Sequence, residues 1–342
     1  MESPSAPRPP APPRPAPAAA RRTPLLRASV ALALVIAGGL GRAVGARAAS
    51  PGGPVADVWV ASSRRLPGTC RVPRRAGLDV ERLSGGDCGR WQRAQVDELL
   101  AAQDRPLVVF VHGNRYAAHE AKSQGLRLAR TLAAACPDAG PAQMLIFSWP
   151  SEQQGKLLRD VRAKYDRAPS DGHYLAWLLG RIDPRRPVAI VGYSYGALVG
   201  LQAMADLVAA DPAGASGVAP WAGRPGRTHL VLVAPAVRCD ALAPRGLYRD
   251  SLACVDRLTL VANSSDIVLR FFDCIDRCDR TEALGVVAMP RRWLPADLDY
   301  RAIDAAAIVG PEHRLPPYLA SAVLARRIAA GAVADLDAPA AR

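Results

Sequence analysis

Residues 187–197 read Pro-Val-Ala-Ile-Val-Gly-Tyr-Ser-Tyr-Gly-Ala, and this stretch decides the fold. Val188 to Val191 is a short, continuous apolar run rich in β-branched residues, the pattern of a strand buried on both faces. Ala197 to Ala209 is strongly apolar and long enough for a helix. Between them, Gly192-Tyr193-Ser194-Tyr195-Gly196 is a G-x-S-x-G turn in a strand–turn–helix context. A turn this tight holds its serine in a strained backbone conformation, and glycine on either flank lets strand and helix approach. Ser194 is therefore expected above the edge of a sheet, beside the N–H groups of a helix N-terminus. Such groups stabilise negative charge developing on a bound oxygen.

Working outward, further strands are expected at Asp57 to Ala61, Pro106 to Val111, Gln143 to Ser148, His229 to Ala234 and Arg257 to Ala262, with a weaker one over Tyr300 to Val309. Helices are expected from Trp91 to Ala102, where Val96, Leu99 and Leu100 share a face, from about Ala118 to Ala135, and from about Pro317 to Ala330. The stretch before Pro187 is polar to amphipathic and is left without an element. Residues 211–227 are rich in Gly and Pro around Trp221 and read as an excursion. No internal repeat is visible. Buried strands alternating with helices predict a mostly parallel sheet covered on both faces.

A serine hydroxyl is a poor nucleophile at neutral pH and needs a base, for which histidine is suited. The chain has five histidines. In this kind of fold the order is serine, acid, histidine, and only His229 and His313 follow Ser194. His229 opens a strand, at the far edge of the sheet. His313 lies in a loop between the last strand and the last helix, which makes it the expected base. Asp266 ends the Asn263-Ser-Ser-Asp turn after strand 257–262 and is the expected acid, a role compatible with capping the segment that follows. Asp304 is the alternative. Val111-His112-Gly113-Asn114-Arg115 follows strand 106–111, so the Asn114 N–H, with Arg115 as runner-up, is expected to form an oxyanion hole with the N–H of Tyr195. His112 is expected to hold that loop rather than act as the base. Tyr116, Trp149, Tyr193 and Tyr195 are candidates for lining a pocket or for packing.

Phe110-Val-His-Gly-Asn114, Phe147-Ser-Trp-Pro-Ser151, the elbow at Ser194 and the Asp266 and His313 loops together resemble an uncharacterised bacterial family of α/β hydrolases, over about residues 57 to 325. The resemblance implies an α/β-hydrolase fold, a Ser194–Asp266–His313 triad and an esterase- or lipase-like activity on a small-molecule or lipid-like ester. The expected reaction is acyl transfer to water through a covalent acyl-enzyme, with no cofactor and with activity falling at acid pH. A serine peptidase or acyltransferase would use the same triad, and a non-catalytic envelope binding protein is the rival outside enzymes.

Ahead of all this, residues 3–19 are almost entirely Pro, Ala and Arg. Arg21, Arg22 and Arg27 then precede a 13-residue apolar run, 28–40, and an Ala46-Arg47-Ala48 site. This is the layout of a secretory signal peptide, shorter than a membrane span. It predicts export to the periplasm or medium, with residues 49–342 as one domain; an uncleaved signal would tether the protein to the membrane. Residues 1–48 carry seven Arg and one Glu, so cleavage leaves +7 of the +13 net charge. The basic residues are scattered, with no aromatic-interleaved stripe, which argues against nucleic-acid binding. Seven cysteines suit an oxidising compartment. Cys70 with Cys88, Cys239 with Cys254 and Cys274 with Cys278 are candidate pairs, and Cys136 is left over. No His or second Cys pair near 274–278 suggests a metal site.

Overall fold

The computed structural model describes residues 57–84, 89–101, 105–210, 221–276 and 281–338. Its nine strands are β1 (Val58–Ser62), β2 (Asp79–Ser84), β3 (Arg90–Ala94), β4 (Leu107–Val111), β5 (Gln143–Ser148), β6 (Val188–Tyr193), β7 (Thr228–Val233), β8 (Arg257–Ala262) and β9 (Asp299–Asp304). They form one sheet in the order β3-β2-β1-β5-β4-β6-β7-β8-β9. From β1 to β9 every neighbouring pair is parallel. Only β2 runs against the rest, pairing antiparallel with β1 and β3.

The helices are α1 (Val96–Ala101), α2 (Ala118–Ala135), α3 (Leu157–Leu179), α4 (Tyr195–Val208), α5 (Ala306–Val309), α6 (Leu315–Ala320) and α7 (Ala322–Ala332). α2, α6 and α7 pack together on one side, and α3 and α4 pack against each other on the other. Both faces being covered, the five strands β4 to β8 are buried at every position, which is why they read as unbroken apolar runs. The crossing of α3 over α4 is close: a Cβ on Gly172 would lie 2.5 Å from Gln202 Cβ. This is the α/β-hydrolase fold expected from the elbow and the element order.

Four expectations need correction. Residues 91–94 belong to strand β3, not to a helix. Helix α1 starts only at Val96, where the Gln95 backbone carbonyl accepts from Glu98 N–H and the Glu98 side chain returns to Gln95 N–H, satisfying a backbone donor that the first turn leaves free. The unassigned stretch before Pro187 is mostly the 23-residue helix α3, with Pro169 inside it. The last strand stops at Asp304, whose carboxylate accepts from Ala306 N–H and opens the short helix α5. The last helix is two, divided at Ser321, whose side chain caps α7 through Leu324 N–H.

β4 lies at the middle of the sheet, and the chain leaves it for β5 on one side before returning to β6 on the other. The connections after β4 and β6 therefore diverge, the topological switch point at which open α/β sheets bind their ligands. Ser194 follows β6 at that point.

Candidate active site

Ser194 has φ 53° and ψ −120°, a left-handed conformation that costs a non-glycine residue on the order of 1–3 kcal/mol. The surroundings leave it no alternative. Ser194 N–H donates to Val233 O at 3.0 Å and its own carbonyl accepts from Ala236 N–H at 3.2 Å. A Cβ on Gly192 would lie 2.7 Å from Ala197 Cα, and one on Gly196 only 2.0 Å from Val111 O. Both flanking glycines are thus required by contact. Gly113, in the loop after β4, is equally close, with its missing Cβ position 3.0 Å from Ser194 Cβ.

His313 lies between Ser194 and Asp266. Its Nδ1–H donates to Asp266 Oδ2 at 2.7 Å, and Ser194 Oγ–H donates to its Nε2 at 2.9 Å. A carboxylate only accepts, so it fixes the tautomer with the proton on Nδ1 and leaves Nε2 free to accept. Asp266 is fully buried. Its other oxygen accepts from Val268 N–H at 2.9 Å and Leu269 N–H at 3.0 Å. Capping and orienting are thus done by one carboxylate. Asp304 is elsewhere engaged, with Ser264 N–H, Ser264 Oγ–H and Ala306 N–H. It braces the turn that carries Asp266 and does not touch His313.

Beside Ser194, the loop after β4 is held by a second loop, residues 149–151. Arg115 has φ 65°, and its N–H donates to Ser151 O at 2.7 Å and to Asn114 Oδ1 at 2.9 Å. That N–H is spent, which removes Arg115 as an oxyanion donor. The Asn114 N–H, next to Gly113, and the Tyr195 N–H, at the first turn of α4 where helical amides lack internal acceptors, remain. His112 is fully buried. Trp149 N–H donates to its Nε2 at 3.2 Å and Trp149 Nε1–H donates to its carbonyl at 2.8 Å, so its Nδ1–H faces Gly113 O at 2.9 Å. Burial, helped by the nearby Arg64 guanidinium, lowers its pKa to about 3. It is a neutral strut, as expected. Arg64 itself donates to Ser148 Oγ and Tyr116 O, tying β5 to this loop. No sequence pattern pointed to Arg64.

Trp149, Tyr193 and Tyr195 are buried; Tyr116 is half-buried. Among the other histidines, His229 lies under α7, donating from Nδ1 to Ala332 O at 3.1 Å, and His173 bonds Asp206 at 2.6 Å. His119 is exposed on α2. Cys70, Cys136 and Cys239 carry free thiols, so neither the Cys70–Cys88 nor the Cys239–Cys254 pairing exists. Cys254 is buried and donates to Ser251 O. Cys278 and residues 211–220 of the expected excursion lie outside the described residues, as does the whole segment 1–48. Among the described residues no group of three or more His, Cys, Asp or Glu could hold a metal ion, and no helix is long and apolar enough to cross a membrane.

No curated protein matches the chain. Distant likenesses exist among solved structures. A protein of Agrobacterium vitis S4 aligns at 16% identity, covering 75% of this chain and 94% of its own, with a TM-score of 0.37. Esterase B of Lactobacillus rhamnosis aligns at 15% identity over 86% and 89%, with a TM-score of 0.36. The thermostable carboxylesterase EstE1, cloned from a metagenomic library, aligns at 13% identity over 78% and 90%, with a TM-score of 0.33. These are too remote to bear on function. The family model is decisive: residues 91–284, more than half the chain, match the model described as "Alpha/beta hydrolase of unknown function". The match takes in β3 to β8, the elbow and Asp266, and stops short of His313. The chain belongs to this family of alpha/beta hydrolases, DUF900.

Proposed function

We propose that the protein is an exported serine hydrolase that cleaves an ester-like bond in a small or lipid-like substrate. One observation carries the reading: a single imidazole lies 2.9 Å from Ser194 Oγ and 2.7 Å from the buried Asp266. In this reading Ser194 Oγ attacks the substrate carbonyl while its proton passes to His313 Nε2. Asp266 holds the ring and stabilises the imidazolium. The amides of Asn114 and Tyr195 receive the carbonyl oxygen as it becomes negative. The imidazolium returns its proton to the leaving alcohol, and an acyl-enzyme remains on Ser194. Water then attacks this ester, giving its proton to His313, and the acid is released as Ser194 regains a proton. No cofactor takes part in these steps.

The basic, apolar and small-residue segments of 1–48 support export by a signal peptide, with cleavage after Ala48 and a periplasmic or extracellular product. The test of the chemistry is labelling of the purified protein with a fluorophosphonate probe, in which Ser194 Oγ would displace fluoride from phosphorus. Wild type should be labelled and Ser194→Ala should not. Folded wild type that resists the probe would remove the hydrolase reading and favour a binding role.

A further inference from the structure

Four consecutive carbonyls in the loop that carries His313 are received by donors from distant parts of the chain. Gly310 O and Glu312 O accept from Asn263 Nδ2–H at 2.9 and 3.1 Å. Pro311 O accepts from Ile267 N–H at 3.3 Å. His313 O accepts from Tyr193 Oη–H at 2.7 Å. The loop is therefore hung on the Asp266 turn and on the elbow.

Asn263 is fully buried and uses every polar atom it has. Its backbone N–H donates to Gly285 O at 2.7 Å, and its carbonyl accepts from Asp266 N–H at 3.0 Å. Its Oδ1 accepts from Ser265 N–H at 3.1 Å, and its Nδ2 also lies 3.2 Å from Tyr318 Oη. One residue thus grips both the turn that presents Asp266 and the loop that presents His313. Tyr193, buried beside Ser194, does the same from the elbow, and its ring centroid lies 5.6 Å from that of His313.

Each of the two contacts that His313 makes is in this way backed by a second bond between the same two segments. The Ser194–His313 contact is backed by Tyr193, and the Asp266–His313 contact by Asn263. Satisfying buried polar groups would by itself stabilise the fold. It does not require both side chains to end on the backbone of the residue that must stay in place, or on its immediate neighbours. We propose that Asn263 and Tyr193 are positioning residues that hold His313 in register with Ser194 and Asp266. Its kinetic consequence rests on the serine-hydrolase reading; its geometric consequence does not.

The experiment compares wild type, Tyr193→Phe, Asn263→Ala and His313→Ala, and each of the first two substitutions combined with His313→Ala, all as the full chain. Fluorophosphonate inactivation is followed at several probe concentrations to separate the maximal rate from probe affinity. The low-field proton NMR resonance of His313 Nδ1–H, identified by its loss in His313→Ala, is recorded in parallel. A base displaced by about 1 Å loses on the order of 100-fold in rate. Asn263→Ala should fall about that far, and Tyr193→Phe, which keeps its ring, about tenfold. Affinity for the probe should stay unchanged, and neither substitution should slow labelling further once His313 is gone. The resonance should broaden or vanish in both variants. Wild-type labelling in both, or a loss that persists undiminished in the His313→Ala background, would overturn the proposal. If wild type itself is not labelled, the hydrolase reading fails alone, and an unaltered resonance in both variants then overturns the positioning role. Should Asn263→Ala fail to fold, Tyr193→Phe carries both arms.

Discussion

Replacing Gly196 by alanine tests the elbow most directly. The added methyl would stand 2.0 Å from Val111 O, 2.6 Å from Val111 C and 2.7 Å from His112 O. These are backbone atoms at the end of the central strand, so no side chain can rotate away. Relief requires the start of α4 to retreat from β4 by about 1 Å, and overpacking of this kind costs roughly 1–3 kcal/mol, occasionally more. Alanine in a helix returns about 1 kcal/mol relative to glycine. A net loss of about 1 kcal/mol, reaching about 2 at the upper end of that range, is therefore expected in urea unfolding. The same retreat separates Ser194 from Asn114, and the labelling rate should drop on the order of 100-fold. Gly77→Ala is the control: a Cβ there meets nothing within 4 Å and its φ is not left-handed, so stability should rise by about 0.4–1 kcal/mol. A Gly196→Ala protein with the stability and labelling rate of wild type would refute the steric account of the elbow.

Other outcomes follow from the same geometry. Asp266→Asn can still accept from Val268 and Leu269 N–H but offers His313 the wrong partner; stability should change little while labelling falls by about 10⁴, as seen when a triad aspartate is replaced. For pH, burial holds His112 at about 3 and His229 at about 4, below the usual 6.5. The unfolded chain then binds protons first as pH falls, so stability present above 6.5 is lost progressively from there down to those values. His112→Gln should flatten this slope in pH-dependent urea unfolding, and an unchanged slope would remove His112 as a contributor. N-terminal sequencing of the protein as its cell produces it should begin at Ala49 under the proposed signal-peptide cleavage; a product that retains residues 1–48 would mean a tether instead.

How much of this the sequence discloses depends on burial. β4 to β8 are covered on both faces and advertise themselves as apolar runs, so their order and the elbow between them can be read directly. β2 and β3 form one margin of the sheet, with sequences Asp79-Val-Glu-Arg-Leu-Ser84 and Arg90-Trp-Gln-Arg-Ala94 mostly in contact with solvent. No hydrophobic pattern marks them, and the apolar spacing of α1 extended backwards over β3. α3 was obscured by Pro169 and by its many charges. Ser194, Asp266 and His313 were legible because each follows the end of an element in a fixed order. The roles of Asn263, Tyr193 and Arg64 were not, because each depends on a distant partner, 47 to 120 residues away, and nothing local in a sequence reports such a meeting.

The length of the connection between Ser194 and His313 also bears on when the site comes into being. The two residues are 119 positions apart, and chains grow at about 5–20 residues per second. The ribosome thus makes the elbow roughly 6–24 s before it makes the proposed base. The loop bearing that base has its carbonyls fastened only to older parts of the molecule, so it can settle only after β6, β8 and the Asp266 turn are in place. A nascent, truncated or still-unfolded chain in transit would hold a serine with no base to activate it. Competence would come only with the docking of that loop, after the elbow itself has formed.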